Sequence, residues 1–166
     1  MQLLKVLVVL LLADPLIGQA FEYKDLKLGE QTTVETVEKV LGGKCEPHRN
    51  YDNAFLCKGV NTILGEETKV AVVLRFQIIN TIILEFTSQL NDELRDVLIG
   101  KYGPPSRISG KQRMFVETRT FIWEDGDSKM TLYQDPDNYK ISNIFMYKLI
   151  IDPEKKKADE IRRKDI

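Results

Sequence analysis

The sequence predicts an α+β fold in which two capped helices, each followed by about three antiparallel strands, pack on one face of the resulting sheet. Three observations predict it. Two stretches carry apolar residues at helical spacing between a capping residue and a glycine stop. Several others alternate apolar and polar residues and are joined by turn signals too short for a parallel crossover. The order of helix and then strands occurs twice, over residues 26–87 and 88–150, with slight identity between the halves. Two pseudo-repeated units are therefore an expectation about architecture.

The first helix is expected from a cap at Thr32, with Glu35 three residues later completing a capping box. Val34, Val37, Val40 and Leu41 share one face, and Gly42-Gly43 stops the helix. A loop is expected from Lys44 to about Asn53. Strands follow at Ala54 to Lys58, Lys69 to Phe76 and Ile79 to Thr87, with Gly65-Glu66-Glu67 as the first turn. In the second of these strands Val70, Val72, Leu74 and Phe76 share a face. In the third, Ile82, Leu84 and Phe86 oppose Thr81 and Glu85.

The second helix aligns Leu90, Leu94, Val97, Leu98 and Tyr102, with Ser88 or Asn91 as its cap. Gly103-Pro104-Pro105 ends it. A polar link is expected from Ser106 to Arg113. Three strands then close the domain: Phe115 to Glu124, Lys129 to Gln134 and Tyr139 to Ile150. Asp125-Gly126 is the first turn between them and Asp135 to Asn138 the second.

Ahead of this domain, Lys5 precedes an apolar run from Val6 to Ala13. Pro15 breaks it, and Gly18-Gln19-Ala20 offers small residues where a signal peptidase reads. Residues 1–20 are read as a cleavable secretory signal, residues 21–151 as one α+β domain and residues 152–166 as a charged tail. The run is short of the ~20 residues that span a bilayer. No later run is long enough either, so no transmembrane segment is expected after cleavage. The formal net charge is −1. Removing Lys5 and Asp14 together leaves it unchanged, which gives no field for recruiting nucleic acid. Arg107, Lys111, Arg113 and Arg119, with Phe115 and Phe121 among them, read as a solvated basic stretch rather than a nucleic-acid platform.

Cys45 and Cys57 are the chain's two cysteines. In an oxidising compartment such a pair reads as a structural disulfide, worth about 3 kcal/mol for a loop of this length. Metal or redox pairs want closer spacing and further ligands. No H-E-x-x-H, G-x-S-x-G or phosphate-binding glycine loop occurs, and the single histidine, His48, lies in the loop between the cysteines. No catalytic residue, metal ligand or cofactor is assigned. The alternative to a binding protein is a small secreted or periplasmic enzyme or metal-binding protein using the turn carboxylates Asp125, Asp127, Asp135 and Asp137, should two turns meet at one end of the sheet.

Aromatic residues gather in the last three strands. Trp123, Tyr133, Tyr139, Phe145 and Tyr147 are the candidate binding residues. Several stand at alternate positions, so some should leave the helix-covered face, while Trp123 and Phe121 also suit the core. These features imply a partner that is another protein, met in the periplasm or outside the cell.

Two stretches carry a family resemblance. Phe21 to Gly29 with Leu41-Gly42-Gly43 forms one. Leu98 to Pro105 with Phe121-Ile122-Trp123-Glu124-Asp125-Gly126 and Met130-Thr131-Leu132 forms the other. The pattern is similar to the tandem helix-plus-sheet exported bacterial proteins of the β-lactamase-inhibitor-protein type. It also resembles the related outer-membrane assembly lipoproteins, though this chain has no cysteine after its signal to acylate. The resemblance implies binding without catalysis in the bacterial envelope or beyond it.

Overall fold

The computed structural model describes residues 20–113, 116–135, 141–150 and 152. The expected signal up to residue 19, Phe115, Asp137, Tyr139 and the tail beyond 152 lie outside the described residues. The chain enters through a small hairpin of β1 (Glu22–Tyr23) and β2 (Leu26–Lys27). Its apolar residues Phe21, Tyr23, Leu26 and Leu28 all enter the core.

Helix α1 (Val34–Leu41) buries Val37 and Leu41 and packs Val34 and Val40 beside them, as the spacing predicts. Its cap is Thr33, one residue later than expected. The Thr36 N–H donates to the Thr33 hydroxyl at 3.3 Å. Glu35 thus falls at the second helical position and closes no box. Its own backbone N–H, and then the Thr33 side chain, hold its carboxyl below the usual range. Gly42, at φ 64°, ends the helix with its N–H on the Glu38 carbonyl.

Four strands follow where about three were expected: β3 (Lys44–Pro47), β4 (Ala54–Ile63), β5 (Glu66–Arg75) and β6 (Ile78–Thr87). The additional strand, β3, lies in the expected loop. It is short, polar and proline-bearing, as exposed edges are, and such a segment carries no apolar alternation to reveal it. Cys45 stands opposite Cys57 across β3 and β4, and the two are joined as a disulfide. Gly43 and Gly59 let the end of α1 meet β4 backbone to backbone. A Cβ on Gly43 would collide with the Lys58 carbonyl, and one on Gly59 with the Leu41 carbonyl.

Two-residue turns join β4 to β5 and β5 to β6. The first is Leu64-Gly65, since Ile63 pairs with Glu66. The second, between Arg75 and Ile78, is Phe76-Gln77 at φ 53° and 60°. Left-handed backbone at both central positions matches the strand twist, and it strains residues other than glycine. Outside contacts hold this turn. The Phe76 N–H donates to the Asn53 carbonyl at 2.9 Å, and the Thr32 N–H donates to the Gln77 carbonyl at 2.8 Å.

A single 3-10 turn (Ser88–Leu90) leads into α2 (Asn91–Tyr102). No side chain caps α2 at Leu90. Asn91 instead ties the helix start to the end of a later strand: its amide donates to the Asp135 carbonyl at 2.9 Å, and the Gln134 amide donates to its own carbonyl at 2.6 Å. Leu90, Leu94 and Leu98 are buried and Tyr102 packs beside them. This ladder of every fourth residue drifts around the helix, leaving Val97 49% exposed rather than on the buried face. Gly103, at φ 76°, ends α2.

The second run again has four strands: β7 (Arg107–Arg113), β8 (Val116–Asp125), β9 (Ser128–Gln134) and β10 (Ile141–Lys148). The expected polar link is β7, another edge strand rich in charged and polar residues. The turn between β8 and β9 is Gly126-Asp127, one residue past the expected pair, because Asp125 pairs with Ser128.

The eight strands form one antiparallel sheet in the order β3-β4-β5-β6-β10-β9-β8-β7. Its centre is the pairing of β6 with β10, from Thr81 opposite Tyr147 to Thr87 opposite Ile141. Register runs straight across it. Cys57, Val72, Ile82, Met146, Met130 and Trp123 form one row, and Val70, Leu84, Ile144, Leu132 and Phe121 the next. Both rows are buried in a single core that also takes Val37 and Leu41 from α1 and Leu94 and Leu98 from α2. The fold is thus α+β, with both helices on one sheet face.

Tyr23 is a defect in this core. Its hydroxyl is buried and has no hydrogen-bond partner among the described residues. Burial also raises its pKa above 10.0. Tyr23→Phe should therefore stabilise the protein by about 1 kcal/mol in urea unfolding. The sign of the pH effect follows. The unfolded chain loses this proton first as pH passes about 10, so the contribution is constant below that and lost as pH rises through the folded value. Tyr23→Phe should remove that part of the alkaline loss. Replacing both cysteines, Cys45→Ala with Cys57→Ala, should cost about 3 kcal/mol in the same assay.

Candidate functional site

Strand residues alternate between faces, so the neighbours of each core residue stand on the opposite side of the sheet. Three rows cross that open face. Leu56, Val73, Thr81, Tyr147, Lys129 and Glu124 form the first. Lys58, Ala71, Ile83, Phe145, Thr131 and Ile122 form the second. Val60, Lys69, Glu85, Asn143, Tyr133 and Thr120 form the third. Among the described residues neither helix contributes to this face, since α1 and α2 pack into the core rows.

Apolar side chains nevertheless stand uncovered there. Phe145 is 40% exposed and Val60 56% exposed, while Tyr133, Tyr147, Ile83, Ala71 and Val73 are half-buried. The Phe145 and Tyr147 rings stack with centroids 6.4 Å apart. Phe145 pairs with Ile83 across β10 and β6, so the aromatic strip continues into the first run of strands. There the face sinks into a hollow of about 470 Å³ lined by Lys58, Gly59, Val60, Lys69, Val70, Ala71, Ile83 and Glu85. Side chains from the open face make its floor of Val60, Ala71 and Ile83 and its charged rim.

A second hollow of about 460 Å³ lies where α2 ends, beside Phe21, Lys101, Tyr102, Ser106, Trp123 and Glu124. Its groups are spent on structure. The Trp123 Nε1–H donates to the Gly103 carbonyl at 2.9 Å. Lys101 sits 2.9 Å from a Glu22 carboxylate oxygen. Burial works against the Lys101 charge, but the Glu22 hydrogen bond and the Tyr102 contacts outweigh it and raise its pKa.

Of the five aromatic candidates, the fold brings Tyr133, Phe145 and Tyr147 together on the open face. Trp123 lies on the other side, 3% exposed in the core row. Tyr139 lies outside the described residues. The described turn carboxylates, Asp125, Asp127 and Asp135, do not converge. Asp125 and Asp127 flank the start of β9 and Asp135 follows its end, so they stand roughly 20 Å apart at strand spacing. Asp127 pairs with Lys148 at 3.2 Å. Among the described residues no three His, Cys, Asp or Glu side chains gather into a metal-holding group. His48 packs its ring on Tyr51 with centroids 4.9 Å apart.

Reading the aromatics alone misses the hollow. Its signal is Ile83, an apolar residue on the side of β6 that otherwise carries Thr81 and Glu85. Lys58 and Lys69 at alternating strand positions mark the same face.

Helices on one face and an open, apolar-bearing other face define a two-layer α+β protein. No protein-family model and no curated protein matches the chain. Among solved structures it is similar to a DUF4309 family protein, YjgB, from Bacillus subtilis. The two are 15% identical with a TM-score of 0.42, and the match covers 76% of this chain and 84% of that one. It is also similar to a cysteine-rich secretory protein from Staphylococcus aureus. That pair is 11% identical with a TM-score of 0.40, covering 73% of this chain and 43% of the other.

The two sides of β10 should respond differently to truncation. Phe145→Ser should cost less than about 1 kcal/mol, as expected away from the core. Met146→Ala, at a side chain 2% exposed, should cost about 2–4 kcal/mol in urea unfolding.

Proposed function

We propose that this protein is an exported, non-catalytic binding protein of the cell envelope or the extracellular space, whose open sheet face engages another protein. The observation that carries this reading is the uncovered strip of Tyr133, Phe145, Tyr147 and Ile83 on a face that α1 and α2 leave bare. Contiguous exposed apolar surface is costly unless something covers it. Aromatic side chains on rigid strands bury large area with little entropy to lose. Export is supported by the signal-like residues 1–20 and by the Cys45–Cys57 disulfide, which persists in oxidising compartments. No helix among the described residues is long and apolar enough to cross a membrane.

The reading extends to architecture. We take residues 26–87 and 88–150 as two units of helix plus antiparallel strands, in keeping with the resemblance to the β-lactamase-inhibitor-protein type. An enzyme or metal protein built on the turn carboxylates draws less support, because those turns flank opposite ends of β9.

A photo-cross-linking amino acid in place of Phe145 tests the reading in envelope extract and culture medium, with the same group in place of exposed Val97 on α2 as the control. The expected result is a discrete protein adduct from position 145 that position 97 does not give. No adduct, or the same adducts from both positions, would sink the proposal.

A further inference from the structure

We propose that the hollow beside the aromatic strip receives an acidic, apolar-flanked segment of the partner protein. This deepens the reading of the open face as a protein-binding surface and rests on it. The floor is apolar: Val60, Ala71 and Ile83 come together from β4, β5 and β6. Lys58 and Lys69 stand at its rim, with Lys44 beside Lys58, and among the described residues none of the three has a carboxylate within 4.0 Å. Lys44 and Lys58 are direct cross-strand neighbours on β3 and β4, and Lys69 is the cross-strand neighbour of Val60 on β5. Like charges placed directly opposite destabilise a sheet.

Several other lysines of the protein stand beside carboxylates. Lys27, Lys101, Lys129 and Lys148 each sit within 4.0 Å of a carboxylate. Among the described residues Lys44, Lys58 and Lys69 have no such partner. Of the residues lining the hollow one, Glu85, is acidic, and although it stands opposite Lys69 the two form no ion pair. A carboxylate entering between Lys58 and Lys69 meets both charges over an apolar floor, where attraction is stronger than in bulk water, and eases the repulsion between Lys58 and Lys44. Apolar residues flanking it fill the space over Ala71 and Ile83. Ile83 in the hollow pairs with Phe145 on β10, so the apolar surface extends beyond what a small ligand would use. A protein segment fits that extent.

Two acetylated, amidated heptapeptides test this on the exported protein, one alternating leucine with glutamate and one alternating leucine with lysine. Sodium dodecanoate is the third probe, and the methyl resonances of Ala71 and Ile83 are the readout. The acidic peptide should shift both methyls at a concentration roughly tenfold below the basic one. Raising salt from ~50 mM to ~500 mM should weaken it. The double variant Lys58→Glu with Lys69→Glu should weaken the acidic peptide by roughly tenfold or more. Both lysines are exposed, so the double variant should remain folded, which a cooperative unfolding transition measured alongside checks.

Equal response to the two peptides overturns the proposal, and so does unchanged acidic-peptide binding in the double variant. A response to dodecanoate alone also overturns it and makes the hollow a site for a small amphiphilic anion. The cross-link at position 145 separates the two levels. An adduct that persists without any acidic preference removes this inference alone, and loss of both removes the reading of the face as well.

Discussion

Pairing of β6 with β10 turns two meanders, distant in sequence, into one sheet. Seven residue pairs join Thr81–Thr87 to Ile141–Tyr147, and on the core side they set Ile82 beside Met146 and Leu84 beside Ile144. Those residues are the middle of rows reaching from Cys57 to Trp123. A slip of one residue in this ladder would send Ile144 and Met146 to the open face and bring Phe145 inward. Both helices would then lose the surface they cover, since each packs on a core that spans the ladder. Register here fixes both the core and the content of the opposite face.

That face is therefore a by-product of core formation only in its position, not in its chemistry. Burying Ile82 and Leu84 requires Thr81, Ile83 and Glu85 to face outward, yet nothing in packing requires residue 83 to be isoleucine or residue 145 to be phenylalanine. Polar residues would satisfy an outward strand position and would keep it soluble. Uncovered aliphatic and aromatic side chains on the central strands, beside lysines that have no carboxylate partner among the described residues, are the feature that folding does not explain. The binding role proposed for the face accounts for both.

Much of this was legible in the sequence where burial leaves a periodic trace. Val37 and Leu41, Val70 to Leu74 and Ile82 to Phe86 alternate or recur because one side of each element meets the core. Strands β3 and β7 left no such trace. They are sheet edges, where polar and charged residues guard against further pairing, so they read as loops. The cap at Thr33 rather than Thr32 was undecidable from two adjacent threonines of equal capping ability. The Phe76-Gln77 turn was opaque for a different reason. Its left-handed backbone is imposed by partners at Asn53 and Thr32, far off in sequence, against the preference of its own residues. Trp123 illustrates the limit at the site itself. Alternation within β8 groups it with Phe121, but which side meets the helices depends on neighbours that only the assembled sheet supplies.

The order of strands also has a temporal meaning. Among the described strands β10 is the last to be synthesised, and yet it lies in the middle of the sheet. A chain emerging from its N-terminus completes β3 to β6 early, with the full outer edge of β6 unpaired until residue 148 has appeared. During that interval the backbone groups of Thr81 to Thr87 are open to any other strand, including the same strand of a sister chain. Early termination before residue 141 would make the exposure permanent. Truncated products should therefore be aggregation-prone, and the nascent chain has reason to be held by a chaperone until β10 is released.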